Sequence, residues 1–138
     1  MNKITVFTCG GSKGNPGPAA IGIYVVDSEG KVLIESAETI GNATDDYAEY
    51  FAIVRGLQVV ADLFGGKTKE TKFELKISNE TVNKQLNAEH QINDVSLIGH
   101  FIEIFNIRVA YFPNLMITYI GKGSNKEANR LVKEALDS

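Results

Sequence analysis

The first third of the chain alternates apolar and polar residues, and this period of two predicts β-strands. Three such stretches occur, over residues 3–9, 20–26 and 31–40. In the first stretch Ile4, Val6 and Thr8 share one face, while Cys9 lies on the other. A turn cluster rich in Gly and Pro at 10–18 and a hairpin turn at 27–30 separate the strands. The chain is therefore expected to open as an antiparallel meander.

A long helix is predicted next, over residues 44–64. Thr44 suits the N-cap, and Asp45 and Asp46 put negative charge in the first turn, where the helix dipole favours it. Two glycines at 65–66 are a typical helix end. An apolar stripe recurs at helical spacing and is expected to pack on the sheet, formed by Ile53, Leu57 and Val60.

The remaining pattern predicts two strands and three helices. A fourth strand covers 73–77, with Asn79 just beyond its end, and short and longer helices follow at 80–86 and 95–110. A fifth strand covers 115–120, and a last helix, capped by Ser124 or Asn125, runs to about residue 136. This order predicts an α/β fold in which helices pack on a mixed sheet.

Composition narrows the class of protein. The chain has 138 residues, 43% of them hydrophobic and 22% charged, with a formal net charge of −3. These values favour one folded domain over a disordered chain, and they give no general attraction to nucleic acid. Cys9 is the only cysteine, so no internal disulfide is expected, and a cytoplasmic location is predicted. No apolar run has the length of a membrane span, and no signal peptide is predicted.

Four segments resemble the motifs of the ribonuclease H family, of the short kind that lacks a basic handle. Residues 7–18 resemble its Y-x-D-G-x-x-x-x-N-P-G-P, and 44–50 resemble T-N-N-x-A-E. Residues 77–87 resemble a strand-ending S-D-S followed by V-x-x-Q-L-N, and 125–131 resemble N-x-x-A-D-x-L. The resemblance covers nearly the whole chain. It implies a single ribonuclease H-like domain over residues 1–138, with a five-stranded mixed sheet, three antiparallel strands and then parallel ones, flanked by helices.

The resemblance also implies four catalytic carboxylates that hold two divalent metal ions. Only Glu49 is retained; Cys9, Asn79 and Asn129 occupy the other three positions. Four carboxylates carry about −4 and balance the charge of two divalent ions, whereas the four residues here carry about −1. Two bound ions would then repel each other without compensation. Like charges 4 Å apart repel by about 4 kcal/mol at an effective dielectric near 20. No two-metal site is therefore predicted, and Glu49 at most would hold one ion. No cofactor is expected.

A nucleic-acid-binding segment is the second implication of the resemblance. Its residues approach the sugar-phosphate backbone in the family: Gly10, Gly11, Ser12, Lys13, Gly14 and Asn15. Asp45 and Asp46 replace asparagines that touch nucleic acid in the family, and their charge is expected to repel phosphates. The basic residues expected near this groove are few: Lys13, Lys122, Lys126 and Arg130.

Several residues leave more than one interpretation open. Cys9 is an inert small side chain, a soft-metal ligand, or a reactive nucleophile that would need a nearby His or cation to lower its pKa. Glu49 is either a metal ligand or a remnant hydrogen-bonded to Asn79, Asn129 or Thr8, and the two asparagines are then expected to bond to each other and to Glu49.

The aromatic residues and histidines have simpler expectations. Four aromatic residues follow core spacing: Phe7, Tyr24, Phe73 and Phe105. His90 and His100 have no spaced partners and are expected at the surface or in loops. Tyr111 and Phe112, if exposed together, would indicate a partner surface.

Three functions follow from these observations. The first is a catalytically degenerate ribonuclease H-like protein with residual binding of RNA/DNA hybrid or RNA, or with a protein-interaction role. The alternative is a divalent-metal-dependent ribonuclease that cleaves the RNA strand of RNA/DNA hybrids, using Glu49 with Mg²⁺ or Mn²⁺. The second alternative is a homodimeric interaction module, joined through an exposed edge strand or the Tyr111–Phe112 region.

Overall fold

The computed structural model describes residues 3–138. Its five strands are β1 (Lys3–Ser12), β2 (Gly17–Val26), β3 (Val32–Ala43), β4 (Lys72–Ile77) and β5 (Met116–Tyr119). Its α-helices are α1 (Asp45–Phe64), α2 (Glu80–Leu86), α3 (Val95–Tyr111) and α4 (Lys126–Asp137). Short 3₁₀ turns at Gly65–Glu70 and Lys122–Ser124 were not predicted from the sequence. The α/β order and every predicted strand and α-helix are confirmed.

The strands form one mixed sheet in the order β3-β2-β1-β4-β5. The pairs β1–β2 and β2–β3 are antiparallel, and β1–β4 and β4–β5 are parallel. One face packs against α1, whose buried residues include the predicted stripe of Ile53, Leu57 and Val60. The other face packs against α4 through a smaller cluster that contains Cys9, Ala128 and Val132. The predicted five-stranded mixed fold is confirmed.

The predicted turn cluster at 10–18 begins too early. Gly10 to Ser12 continue β1 and pair with β2, where Ser12 lies opposite Ala19. Gly10 suits this position because a Cβ there would lie 2.2 Å from the backbone carbon of Ala48 in α1. Strand pairing and close helix contact therefore outweigh the local turn preference of the glycines.

Some side chains differ from their predicted environments. Phe105 is 59% exposed instead of buried, while Phe112 is buried and only its neighbour Tyr111 is exposed. His100 is half-buried, with its ring at an edge-on angle to Tyr47 and Phe51 of α1. Periodicity identifies a helix face, but it cannot identify which of two apolar faces packs inward.

No helix within residues 3–138 is both long and apolar enough to cross a membrane.

Candidate functional site

The four positions matched to the family's carboxylates come from four different elements. Cys9 lies near the end of β1, Glu49 in the second turn of α1, Asn79 just after β4, and Asn129 in the first turn of α4. The parallel pairing of β1 with β4 brings the ends of those strands to one edge of the sheet. Hydrogen bonds join Cys9 to Asn129, and Asn79 to Asp46 beside Glu49.

Glu49 is buried, with 3% of its surface exposed. Its Oε1 accepts a hydrogen bond from the Gly10 N–H at 2.9 Å, and its Oε2 has no partner among the described residues. Burial raises the pKa of Glu49 to about 8, although the Gly10 N–H and the Cys9 thiol oppose the rise. The carboxyl is therefore mostly protonated, and uncharged, at neutral pH.

Cys9 is buried and neutral. Its Sγ donates a hydrogen bond to Oδ1 of Asn129 at 2.8 Å, and Nδ2 of Asn129 donates to the Lys122 carbonyl at 3.2 Å. Burial, reinforced by the nearby Glu49, raises the pKa of the thiol well above its usual range. A thiol that stays protonated is a poor nucleophile and a poor metal ligand, which favours the inert interpretation of Cys9.

Asn79 has a structural role that the sequence analysis missed. It is the N-cap of α2, where its Oδ1 accepts from the Val82 N–H at 3.0 Å. Its Nδ2 donates to Oδ1 of Asp46 at 2.8 Å. The prediction that Asn79, Asn129 and Glu49 bond to one another is therefore wrong. Each asparagine bonds to a different neighbour, and only one oxygen of Glu49, Oε1, has a partner, the Gly10 N–H.

Asn125 is the buried polar residue that ties these elements together. It is 1% exposed, and its Nδ2 donates to the Thr8 carbonyl at 3.0 Å and to Ser78 Oγ at 3.1 Å. It precedes α4 but makes no side-chain cap bond. The only sequence signal at Asn125 is that it opens the N-x-x-A motif, and the sequence analysis assigns it as a helix cap.

The segment from Gly10 to Asn15 is fixed to the start of α1. Oδ1 of Asp45 accepts from the Ser12 N–H at 2.9 Å and from Ser12 Oγ at 2.8 Å. In return, Oδ1 of Asn15 accepts from the Asp45 N–H at 2.9 Å. Asp45 and Asp46 are thus more than charges that complement the helix dipole: Asp45 positions the segment, and Asp46 positions Asn79.

The basic residues of the candidate groove are partly neutralised. Arg130 contacts three glutamates, namely Glu35, Glu127 at 2.8 Å and Glu134 at 2.6 Å. Nζ of Lys13 lies 3.2 Å from Asp137 and 3.2 Å from the Leu136 carbonyl. A surface groove along α4 is also lined by Lys122, Lys126 and Lys133. Lys122 is close enough to the centre to oppose the rise in the pKa of Glu49.

The donor set does not fit the two divalent ions that the resemblance implies. Mg²⁺ prefers several hard, charged oxygen ligands. The four positions instead supply a neutral thiol, two amides and one carboxyl that is mostly protonated at neutral pH. Within residues 3–138, no group of three or more His, Cys, Asp or Glu side chains is arranged to hold a metal ion.

Comparisons with known proteins agree with this fold. A family model described as "Reverse transcriptase-like" matches residues 8–135. The structure of LC11-RNase H1, isolated from compost by a metagenomic approach, superposes with a TM-score of 0.93 and 36% identity, over 99% of this chain and 97% of that one. The same protein in complex with RNA/DNA hybrid gives a TM-score of 0.92 and 35% identity, over 97% of this chain and 96% of that one.

Curated relatives are longer than this chain. Ribonuclease HI of Halobacterium salinarum is 34% identical over 98% of this chain, and the match spans 65% of that protein. The bifunctional protein Rv2228c of Mycobacterium tuberculosis is 27% identical over 99% of this chain, which spans 36% of it. The family model, the sequence matches and the superpositions agree, and the chain belongs to the ribonuclease H-like family described as reverse transcriptase-like.

Proposed function

We propose that this protein binds RNA/DNA hybrids and does not hydrolyse them by a two-metal mechanism. The observation that carries the proposal is the donor set: Cys9, Asn79 and Asn129 occupy three carboxylate positions, and Glu49 is buried and mostly uncharged at neutral pH. Without several ionised carboxylates at this edge of the sheet, two divalent ions would lack the negative charge that balances them.

The Gly10–Asn15 segment supports the binding half of the proposal. Asp45 holds its backbone and side chains in one arrangement before any ligand arrives, which lowers the entropic cost of binding. Lys122, Lys126 and Lys133 provide positive charge along the adjacent groove. A similar protein, LC11-RNase H1, has been solved in complex with RNA/DNA hybrid. RNA alone is also a candidate ligand, because the same segment and the same lysines would contact its backbone. It is the weaker candidate, because the solved complex of the similar protein holds an RNA/DNA hybrid.

Cleavage of the RNA strand of RNA/DNA hybrids is the second candidate function, and the comparisons favour it over the first. A relative with 34% identity over 98% of this chain is named ribonuclease HI, and a structure with 36% identity is an RNase H1. On this alternative Glu49 would ionise and hold Mg²⁺ or Mn²⁺ together with ligands other than the three lost carboxylates.

One experiment separates the two candidates. A labelled RNA/DNA hybrid is incubated with the wild-type protein and with Glu49→Gln, in Mg²⁺ and separately in Mn²⁺. The proposal expects no cleavage by either protein. Metal-dependent cleavage by the wild type that Glu49→Gln abolishes would overturn it and establish the nuclease.

Binding is measured on the same hybrid by fluorescence anisotropy. On this proposal two or three of the groove lysines contact phosphates, so log K is expected to fall with log salt with a slope of about −2 to −3. Lys122→Gln should weaken binding, whereas Lys69→Gln, on the 3₁₀ turn that precedes β4, should leave it unchanged. Equal affinity of all three proteins, or no binding at low salt, would contradict the binding half of the proposal.

The remaining expectations stay predictions. These are the cytoplasmic location, the absence of a required cofactor, and a protein partner or homodimer.

A further inference from the structure

The outer face of α3 carries an apolar stripe that no residue within 3–138 covers. Its members are all exposed large hydrophobic residues: Val95 at 78%, Ile98 at 40%, Ile102 at 52%, Phe105 at 59% and Val109 at 63%. The helix has a second apolar side, where Leu97 and Ile104 are buried in the core. One apolar face is enough to dock a helix on its own domain, so the second face needs another explanation.

The spacing of the outer stripe is that of a coiled-coil seam. Its residues follow one another at intervals of three, four, three and four, which is the alternation of a and d positions in a heptad repeat. Scattered surface hydrophobics have no reason to keep this interval over 15 residues. We name this set, Val95, Ile98, Ile102, Phe105 and Val109, the α3 seam.

Gly99 lies at the edge of this face, about 90° around the helix from the centre of the seam. It lies inside α3 between two members of the seam, and a Cβ built there would meet no atom within 4 Å. Glycine destabilises a helix interior relative to alanine, and the packing of a single chain does not require it here. A second helix that crosses at this point would use the space that the missing side chain leaves.

Charge on this face argues against a membrane or nucleic acid as the occupant. Helices that bind membrane surfaces and surfaces that bind nucleic acid are typically rich in Lys and Arg. The exposed positions of α3 carry a single charged residue, Glu103, which contacts His100 at 3.2 Å. The one Lys or Arg of α3, Arg108, is half-buried beside Phe105 and Val109.

A second copy of the same chain can cover the α3 seam. When two α3 helices pair antiparallel about a two-fold axis between positions 102 and 105, Ile98 meets Val109 of the second copy, and Ile102 meets its Phe105. Every apolar seam position from 98 to 109 then faces another apolar one. Because a two-fold interface uses the same surface on both copies, each contact occurs twice and no second complementary surface is needed.

The available area is that of a weak dimer. The five exposed side chains offer on the order of 450 Å² of apolar surface per copy, and flanking residues bring the interface to the low end of the range for specific complexes, about 1,200 Å² in total. We propose that the α3 seam is a homodimer interface, with a dissociation constant on the order of 10–100 μM. This inference does not depend on the proposed function, because the seam shares no residue with the site.

The test is sedimentation velocity of the full chain over a range from about 5 to 300 μM, chosen to bracket the expected dissociation constant. Wild type should shift from monomer to dimer with concentration. The double variant Ile102→Glu/Phe105→Glu should raise the dissociation constant by at least about tenfold, because it places like charges in the seam. Leu63→Glu, at an exposed apolar residue of α1, is the matched control and should dimerise like wild type. Circular dichroism checks that each variant is folded.

A cysteine cross-link gives a second readout that does not rely on disrupting the seam. Since Cys9 is buried, Ile102→Cys would carry the only accessible thiol. It should form a covalent dimer with a bismaleimide cross-linker that has a spacer of about 8 Å, because position 102 faces 105 of the second copy and lies too far from the other 102 for a disulfide. Leu63→Cys should cross-link much less. A wild type that stays monomeric throughout, a dimer that survives the double variant, or equal cross-linking of both cysteine variants would each overturn the proposal.

Discussion

Replacing Glu49 with glutamine tests the electrostatic description of the site directly. The glutamine keeps an oxygen that can accept from the Gly10 N–H, and it cannot ionise. In wild type, burial raises the pKa of Glu49 from 4.5 to about 8, so the folded state holds a proton that the unfolded state releases above about pH 4.5. The contribution of this group to stability is therefore complete below pH 4.5. It is lost progressively as the pH rises to 8.

The size of this effect follows from the pH interval between the pKa of Glu49 in the unfolded state and its pKa in the folded state. Each pH unit between the two pKa values changes the free energy of unfolding by at most about 1.4 kcal/mol. Between pH 5.5 and 7.5, wild type should thus lose roughly 3 kcal/mol relative to Glu49→Gln. For a domain of this size the loss corresponds to about 10 °C in Tm. Titration of the other carboxylates is common to both proteins and cancels in the comparison.

The assay is urea denaturation of both proteins at several pH values, supported by an NMR titration of the Glu49 side-chain carboxyl. Parallel stability profiles for the two proteins would refute the reasoning, because they would mean that Glu49 is ionised in the fold. The same series with Mn²⁺ adds a check. Stabilisation of wild type, but not of Glu49→Gln, by the metal at pH 8 would identify Glu49 as a ligand and favour the nuclease.

Three further predictions concern the surroundings of Glu49. Gly10→Ala should destabilise the fold by about 3 kcal/mol or more in chemical denaturation, since its Cβ would overlap the backbone of α1 and helix backbone cannot move cheaply. Asp45→Ala should lower the free energy of unfolding by about 1–2 kcal/mol, because the Gly10–Asn15 segment loses its hydrogen bonds to α1. It should also weaken hybrid binding in anisotropy, although it removes a negative charge. Tighter binding would mean that the charge of Asp45 matters more than its positioning of the segment. The triple variant Cys9→Asp/Asn79→Asp/Asn129→Asp should gain Mg²⁺ binding, measured by calorimetry. Its stability without metal should fall, because the carboxylates repel one another. If it binds no Mg²⁺, the geometry of the site differs from that of a metal site as well.

Most of the fold was predictable because most of its strands and α-helices carry a local signal in the sequence. For α1, the Thr44 cap and the glycines at 65–66 mark both ends, and the observed helix runs from Asp45 to Phe64. The end of β1 was not predictable, because Gly10 and Gly11 favour a turn by local preference. Only the pairing with β2 and the contact of Gly10 with α1 make them strand residues.

The sequence indicated which residues lie together at the candidate site, but it did not indicate their hydrogen bonds. Motif spacing located Cys9, Glu49, Asn79 and Asn129, whereas their partners depend on side-chain directions that spacing does not contain. Asn79 pairs with Asp46 because it caps α2, and the cap fixes its amide toward α1. The exposure of Phe105 was missed for a related reason: α3 is apolar on two sides, and periodicity alone does not say which one packs inward.

The residues at the candidate site form a set that is consistent only as a whole. An aspartate at position 79 would put a second carboxylate against Asp46, where the amide now donates a hydrogen bond. An aspartate at position 129 would present charge to a Cys9 thiol in a buried environment. With the amides present, these contacts are satisfied without any ion, and Glu49 can stay buried and protonated beside the Gly10 N–H. Any single change to a carboxylate would therefore add repulsion without adding enough ligands for a metal, so a two-metal site here would require several substitutions at once.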